Sequence, residues 1–238
     1  MRWSSSPSAT AASSSPSEQK TAEQGGAHLL TEPLPEPMTE LIFLRHGETD
    51  WNRQQRFQGQ IDVPLNATGE QQAARLAVRL AAERADALYS SDLLRARQTA
   101  APLAAAWRLA VAPLPAVREQ GFGVLEGLDV PTIQSRHADL WALWLVHAAD
   151  YALPGGESLR QFHARVMAGV QTLAEAHPRQ RVAVMTHGGV LDMLWRSAHG
   201  LPLDGLRQCV IPNTGINRLR WRDGGLAIDS WGDAGHLD

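Results

Sequence analysis

The sequence predicts an α/β fold, a three-layer sandwich in which a mostly parallel central sheet lies between helices on both faces. Three observations predict it. Short, continuously apolar runs such as Leu41-Ile42-Phe43-Leu44 have the composition of parallel strands covered on both sides. These runs alternate with helical stretches that carry their own capping signals. And one arrangement occurs twice, an apolar strand followed by His-Gly, at Leu41–Gly47 and at Arg181–Gly188.

Residues 1–37 are rich in Ser, Ala, Pro, Glu and Gln and poor in large apolar side chains, so this extension is expected to be disordered. It lacks the apolar core of a secretory signal. Met38, three residues before the first strand, is an alternative start. Residues 38–238 form the one expected domain. After Leu41–Leu44 the chain enters the polar loop Arg45–Asn52, and the punctuated segment from Phe57 to Leu65 follows. Thr68 with Gln71 reads as a capping box that opens a helix to about Arg84, with Ala73, Leu76, Leu80 and Ala81 toward the sheet. Ala85–Ser90 is a strand. Ser91 or Asp92 then caps a helix through Trp107, and Leu109–Ala112 is the next strand. A loop carries Arg118 to Gly127. The stretch that follows, with Trp141, Trp144 and Tyr151, is a helix and a turn ending at Gly155-Gly156.

Ser158 and Gln161 form a second capping box, opening a helix to His177 with Pro178 just past its end. Arg181–Thr186 is the strand of the second His-Gly arrangement, and Val190–Ala198 a helix. The alternating runs Ile216–Trp221 and Leu226–Trp231, joined by Arg222-Asp223-Gly224-Gly225, read as a hairpin.

A net charge of −3 without a long basic run argues against nucleic acid and against anionic membranes as partners. No apolar run approaches the roughly 20 residues that span a bilayer. The single cysteine, Cys209, cannot close an internal disulfide, which fits a reducing, cytoplasmic setting. A homo-oligomer is left open.

Two histidines, His46 and His187, each stand at the carboxyl end of a buried strand, where α/β sheets place their chemistry. If the two strands are neighbours, the imidazoles share a pocket. Arg45 adjoins a buried strand, where an unpaired guanidinium is costly and a bound phosphate would be its partner. Arg95 sits one turn into its helix and pairs either with Asp92 on a solvated face or with a ligand. A metal site would need accompanying ligands, and no His-x-His, cysteine cluster or His-Glu-x-x-His is present.

The string Leu-Arg-His-Gly-Glu-Thr-x-x-Asn from Leu44 to Asn52 resembles the signature of the histidine phosphatase superfamily, which includes cofactor-dependent phosphoglycerate mutases and many small-molecule phosphatases. Ser91-x-x-x-Arg95-Ala-x-x-Thr99 is similar to the family's second arginine motif, and Glu119 to Gly127 resembles the context of its proton donor. The resemblance implies His46 as nucleophile, Glu119 as proton donor and His187 as a catalytic partner. It implies Arg45, Asn52, Gln58, Gly59, Arg95 and Gly188 around the phosphoryl group, with no metal and no cofactor. Glu126 is the competing carboxylate. Where the family often has Trp, this chain has Gln60 and Leu125.

The expected substrate is a small-molecule phosphomonoester. Mutases resemble one another in a longer, arginine-rich insertion, whereas here residues 125–156 hold one arginine, Arg136, against Glu126, Asp129, Asp139 and Asp150. An acidic cover disfavours a doubly charged ligand, so a phosphatase is expected ahead of a phosphoglycerate mutase, and a non-catalytic phospho-ligand binder comes third.

Overall fold

The computed structural model describes residues 38–238; the expected N-terminal extension lies outside them. The chain runs β1 (Thr39–Arg45), α1 (Asp50–Arg53), α2 (Ala67–Leu80), β2 (Ala87–Ser90), α3 (Leu94–Trp107) and β3 (Val111–Pro113). It continues through α4 (Val130–Arg136), α5 (Ala138–Leu145), α6 (Leu159–Ala176), β4 (Arg181–Thr186), α7 (Gly188–His199), β5 (Ile216–Arg222) and β6 (Gly225–Asp233). The six strands form one sheet in the order β3-β2-β4-β1-β5-β6. The β3-β2-β4-β1 pairs are parallel, and β5 and β6 extend the sheet antiparallel.

The apolar runs of β1 and β4 are continuous because both faces of the sheet are covered. Leu41, Phe43, Val182 and Val184 pack with Phe162, Val166 and Val170 of α6 and Val190, Leu191 and Leu194 of α7. Ile42, Leu44, Ala183 and Met185 point the other way, onto Leu76 and Leu80 of α2 and Ala96, Ala100 and Leu103 of α3. Side chains alternate along a strand, so each strand feeds two cores. A smaller cluster of Leu125, Ile133 and Leu153, with Phe57, Phe122, Trp141, Trp144 and Tyr151 against it, gathers α4, α5 and the neighbouring loops.

Several element ends differ from expectation. Helix α2 is capped by Asn66, whose side chain accepts from the Gly69 N–H, and not by Thr68; it ends at Leu80, leaving Ala81 exposed. Helix α3 begins after Leu93, which offers no side-chain cap. Its first N–H, on Leu94, donates instead to Asp62 Oδ1 at 2.7 Å. Asp92 is committed to Arg118. Strand β3 starts two residues later than the expected Leu109. The Ser158 capping box forms as expected, and Asp223 and Gly224, both at positive φ, make the hairpin turn. Helix α7 begins directly at Gly188 with His187 as its N-cap.

Candidate active site

In the β1–β4 pair Arg45 faces Thr186, so the next residue on each strand, His46 and His187, leaves the sheet side by side. The His46 N–H still donates to Thr186 O at 2.9 Å, which continues the ladder one step past the strand. The two imidazole centroids lie 5.1 Å apart, tilted by 57°.

Both rings are buried. His46 Nδ1 lies 2.7 Å from the Gly47 carbonyl. A carbonyl only accepts, so Nδ1 carries the proton and Nε2 keeps a lone pair. The Gly47 N–H donates to Thr99 Oγ1 at 2.9 Å, which fixes the turn. A Cβ on Gly47 would lie 2.7 Å from the Gly69 carbonyl oxygen, so only glycine lets the loop approach α2 this closely. Burial, followed by the charges of Arg95 and Arg45, holds His46 well below its ordinary pKa, and burial with Arg95 and His46 does the same to His187. Both are neutral at pH 7.

Arg45 donates from Nη1 to Ile211 O at 2.6 Å. Arg95 is 1% exposed and donates to Ile61 O and Gly59 O at 2.9 and 2.8 Å; it does not pair with Asp92. Burial lowers both guanidinium pKa values to about 10, leaving both charged. The Nε of each, and Nδ1 of His187, are buried without a hydrogen-bond partner among the described residues. Unpaired N–H groups on the two arginines of one cleft are donors that a bound anion satisfies.

Arg45, His46, Asn52, Gln58, Gly59, Arg95 and Glu119 all line one cleft of about 350 Å³, with Phe57, Phe122 and Trp144 at its wall. Asn52 Oδ1 accepts from the Thr49 N–H at 3.1 Å, and the single proton of the Thr49 hydroxyl is shared between Asn52 Oδ1 and Gln58 Oε1, each 3.1 Å away. In both amides the oxygen is occupied, and neither NH₂ makes a hydrogen bond among the described residues. Gly59 serves mainly through its carbonyl, which holds Arg95, and through a φ of +48° that brings it against Glu126. Gly188 and His187 do not line the cleft. His187 sits against the His46 ring, its Nε2 2.8 Å from Ser91 Oγ.

Glu119 Oε2 accepts from the Gly189 N–H at 3.1 Å at the start of α7, and its Oε1 from the Gln120 N–H at 2.9 Å. Glu126 is spent elsewhere: its Oε1 accepts from the N–H groups of Gln60 and Phe122. Gln60, in a position where the family often has Trp, donates to the Glu119 carbonyl at 3.2 Å. Arg165, paired with Glu157, donates to the carbonyls of Ala116, Arg118 and Glu119, so the Glu119 loop is pinned from below. Leu125 is fully buried.

The acidic residues expected to colour the cover do not line the cleft: Asp129 caps α4, Asp150 pairs with Arg160, and Glu126 ties two loops. Three further residues have roles here that the sequence does not assign, two of them, Ser91 and Thr99, at the ends of the second arginine motif. Ser91 orients His187, Thr99 fixes the Gly47 turn, and Gly189 makes room for Glu119, since a Cβ there would fall 2.1 Å from Oε1. Among the described residues no cluster of three or more His, Cys, Asp or Glu could hold a metal, and no helix is long and apolar enough to cross a membrane.

The profile of the histidine phosphatase superfamily, branch 1, matches residues 41–234. The metal-independent phosphoserine phosphatase of Arabidopsis thaliana is 36% identical over 203 residues, covering 84% of each chain. Among solved structures, Bacillus stearothermophilus YhfR superposes with a TM-score of 0.79 at 29% identity, covering 84% of this chain and all of its own. Mycobacterial glucosyl-3-phosphoglycerate phosphatase does so with a TM-score of 0.72 at 28% identity, covering 83% and 100%.

Proposed function

The chain belongs to the histidine phosphatase superfamily, and from that premise we propose that it is a metal-independent phosphatase of small-molecule phosphomonoesters, working through a phosphohistidine on His46. The observation that carries this reading is a neutral, buried imidazole whose Nδ1 is tied to Gly47 O, which leaves Nε2 as an in-cleft nucleophile between two arginines with vacant N–H groups. Nε2 attacks phosphorus as the ester oxygen leaves. Arg45, Arg95, Asn52 and Gln58 hold the phosphoryl oxygens and stabilise the charge that spreads over them, while His187, packed against the His46 ring, keeps the nucleophile in place. The arginines supply the countercharge that a metal provides in other phosphatases.

Glu119 gives the departing oxygen its proton and later takes one from the water that attacks phosphohistidine, releasing phosphate and restoring His46. Residues 38–238 act as the one domain, in the cytoplasm. No nucleic acid or membrane takes part, and a homo-oligomer would leave this chemistry unchanged.

A phosphoglycerate mutase is the runner-up, and it calls for several cations above the cleft. Beyond Arg45 and Arg95 the cleft is lined by one further arginine, Arg56, and Arg136, the one arginine of residues 125–156, lines no part of it. Purified protein should release phosphate from p-nitrophenyl phosphate in the presence of a chelator. It should not convert 3-phosphoglycerate to 2-phosphoglycerate with or without bisphosphoglycerate. Interconversion without net phosphate release would overturn the phosphatase reading in favour of the mutase.

A further inference from the structure

A second cavity, of about 440 Å³, opens beside the cleft and shares Glu119, Phe122 and Trp144 with it. Glu119, the proposed donor to the departing oxygen, lines both cavities, so a leaving group held beside it can extend into this one. Its wall is mostly apolar, including Tyr151, Phe162, Met193 and Leu206. One cation there is uncommitted. Arg196 spends its donors on Asp192 and on four backbone carbonyls. Arg207, on the loop after α7, has only a loose contact with Asp192 at 3.8 Å and makes no hydrogen bond among the described residues.

Position makes Arg207 informative. A Cβ on Gly188 would lie 3.6 Å from Arg45 Nε and 3.7 Å from Arg207 Nη1, so the two guanidinium groups flank the start of α7, one toward each cavity. Arg207 is close enough to help depress the Arg45 pKa. Arg45 is partly offset by Glu119 and Arg207 by Asp192 at 3.8 Å, but neither guanidinium makes a close ion pair, so an anion between or beyond them adds a favourable partner. The phosphoryl group answers Arg45. A second anionic group, at leaving-group distance, would answer Arg207.

We infer that the second cavity is the leaving-group site and that Arg207 selects leaving groups joining an apolar body to a carboxylate, which its planar fork can take up in paired hydrogen bonds. The inference rests on the phosphatase reading of the cleft. Arg207 is a specificity residue that lines the second cavity and not the cleft of His46. It also changes the sense of the charge argument from sequence: the acidic residues of 125–156 line neither cavity, and the cation that faces the leaving group comes from a loop some 50 residues further on.

The test compares two aryl phosphates of the same shape, 4-carboxyphenyl phosphate and 4-carbamoylphenyl phosphate, with wild type, Arg207→Met and Arg207→Lys. A charge-assisted bidentate contact predicts that wild type favours the carboxylate by at least about tenfold in kcat/KM, mostly through KM. In Arg207→Met this ratio should fall to near one, and Arg207→Lys should restore part of it. A wild-type ratio near one, or a ratio unchanged in Arg207→Met, overturns the inference. Such a result leaves the phosphatase reading standing as long as the amide ester is hydrolysed. Hydrolysis of neither ester by wild type overturns both.

Discussion

An imidazole attacks through the nitrogen that its other hydrogen bond leaves bare. For His46 that choice is made by the Gly47 carbonyl at 2.7 Å, and the turn that presents this carbonyl is held by Thr99. On the proposed mechanism Glu119 is the one carboxylate that both cavities share, and its removal should matter in proportion to how poor the leaving group is. Glu119→Gln keeps the acceptor for the Gly189 N–H. It should slow hydrolysis of alkyl phosphates by about 10²–10⁴-fold and that of p-nitrophenyl phosphate much less, as steady-state rates on the two would show. Equal losses on both would remove Glu119 from the role of proton donor. At this scale the histidines and arginines were legible because each adjoined a strand end or a family motif. Gly189 was not, and Ser91 was legible as part of a motif but not as the partner of His187, since these roles lie in contacts across 70 and 96 residues of sequence.

The elements owe their positions to contacts that local sequence only partly encodes. Strands β1 and β4 are readable from their apolar runs, and their register alone sets the two histidines side by side. Helix α6 is readable from its capping box. Helix α3 is not, because the acceptor for its first free N–H is Asp62, 32 residues upstream, and α2 starts two residues early because Asn66, not Thr68, supplies the cap. The loop that holds Arg95 depends in turn on Glu126, which ties Gln60 to Phe122. Glu126→Ala strips both N–H groups of their acceptor and should cost roughly 1–3 kcal/mol in urea unfolding. It should also raise KM, since Gly59 and Ile61 no longer hold Arg95 in place. Glu126→Gln, which retains an oxygen, should lose less. A stable Glu126→Ala protein with normal KM would show that the loop is set by other contacts.

Across the whole molecule, burial moves histidines in one direction. His46, His147, His163, His187 and His236 all lie below their ordinary pKa, burial being the first cause for each. The unfolded chain therefore takes up protons near pH 6.5 that the folded chain refuses, so unfolding binds protons and stability falls as pH drops below that value. Each fully neutral histidine contributes a slope of about 1.4 kcal/mol per pH unit in that window. Urea midpoints should accordingly decline from pH 7.5 to 5.5, and the decline should be shallower in His187→Asn. A midpoint that rises on acidification would contradict the buried, neutral state of the pair.

The central claim is covalent: phosphorus passes through His46 on its way to water. Wild-type protein mixed with a chromogenic phosphomonoester, quenched in alkali and read by intact-mass and peptide mass spectrometry, should carry one phosphoryl group, located on His46. His46→Ala should carry none and should turn over no substrate while still binding inorganic phosphate. A phosphoryl group found on another residue, or His46→Ala retaining near-normal turnover, would contradict the account.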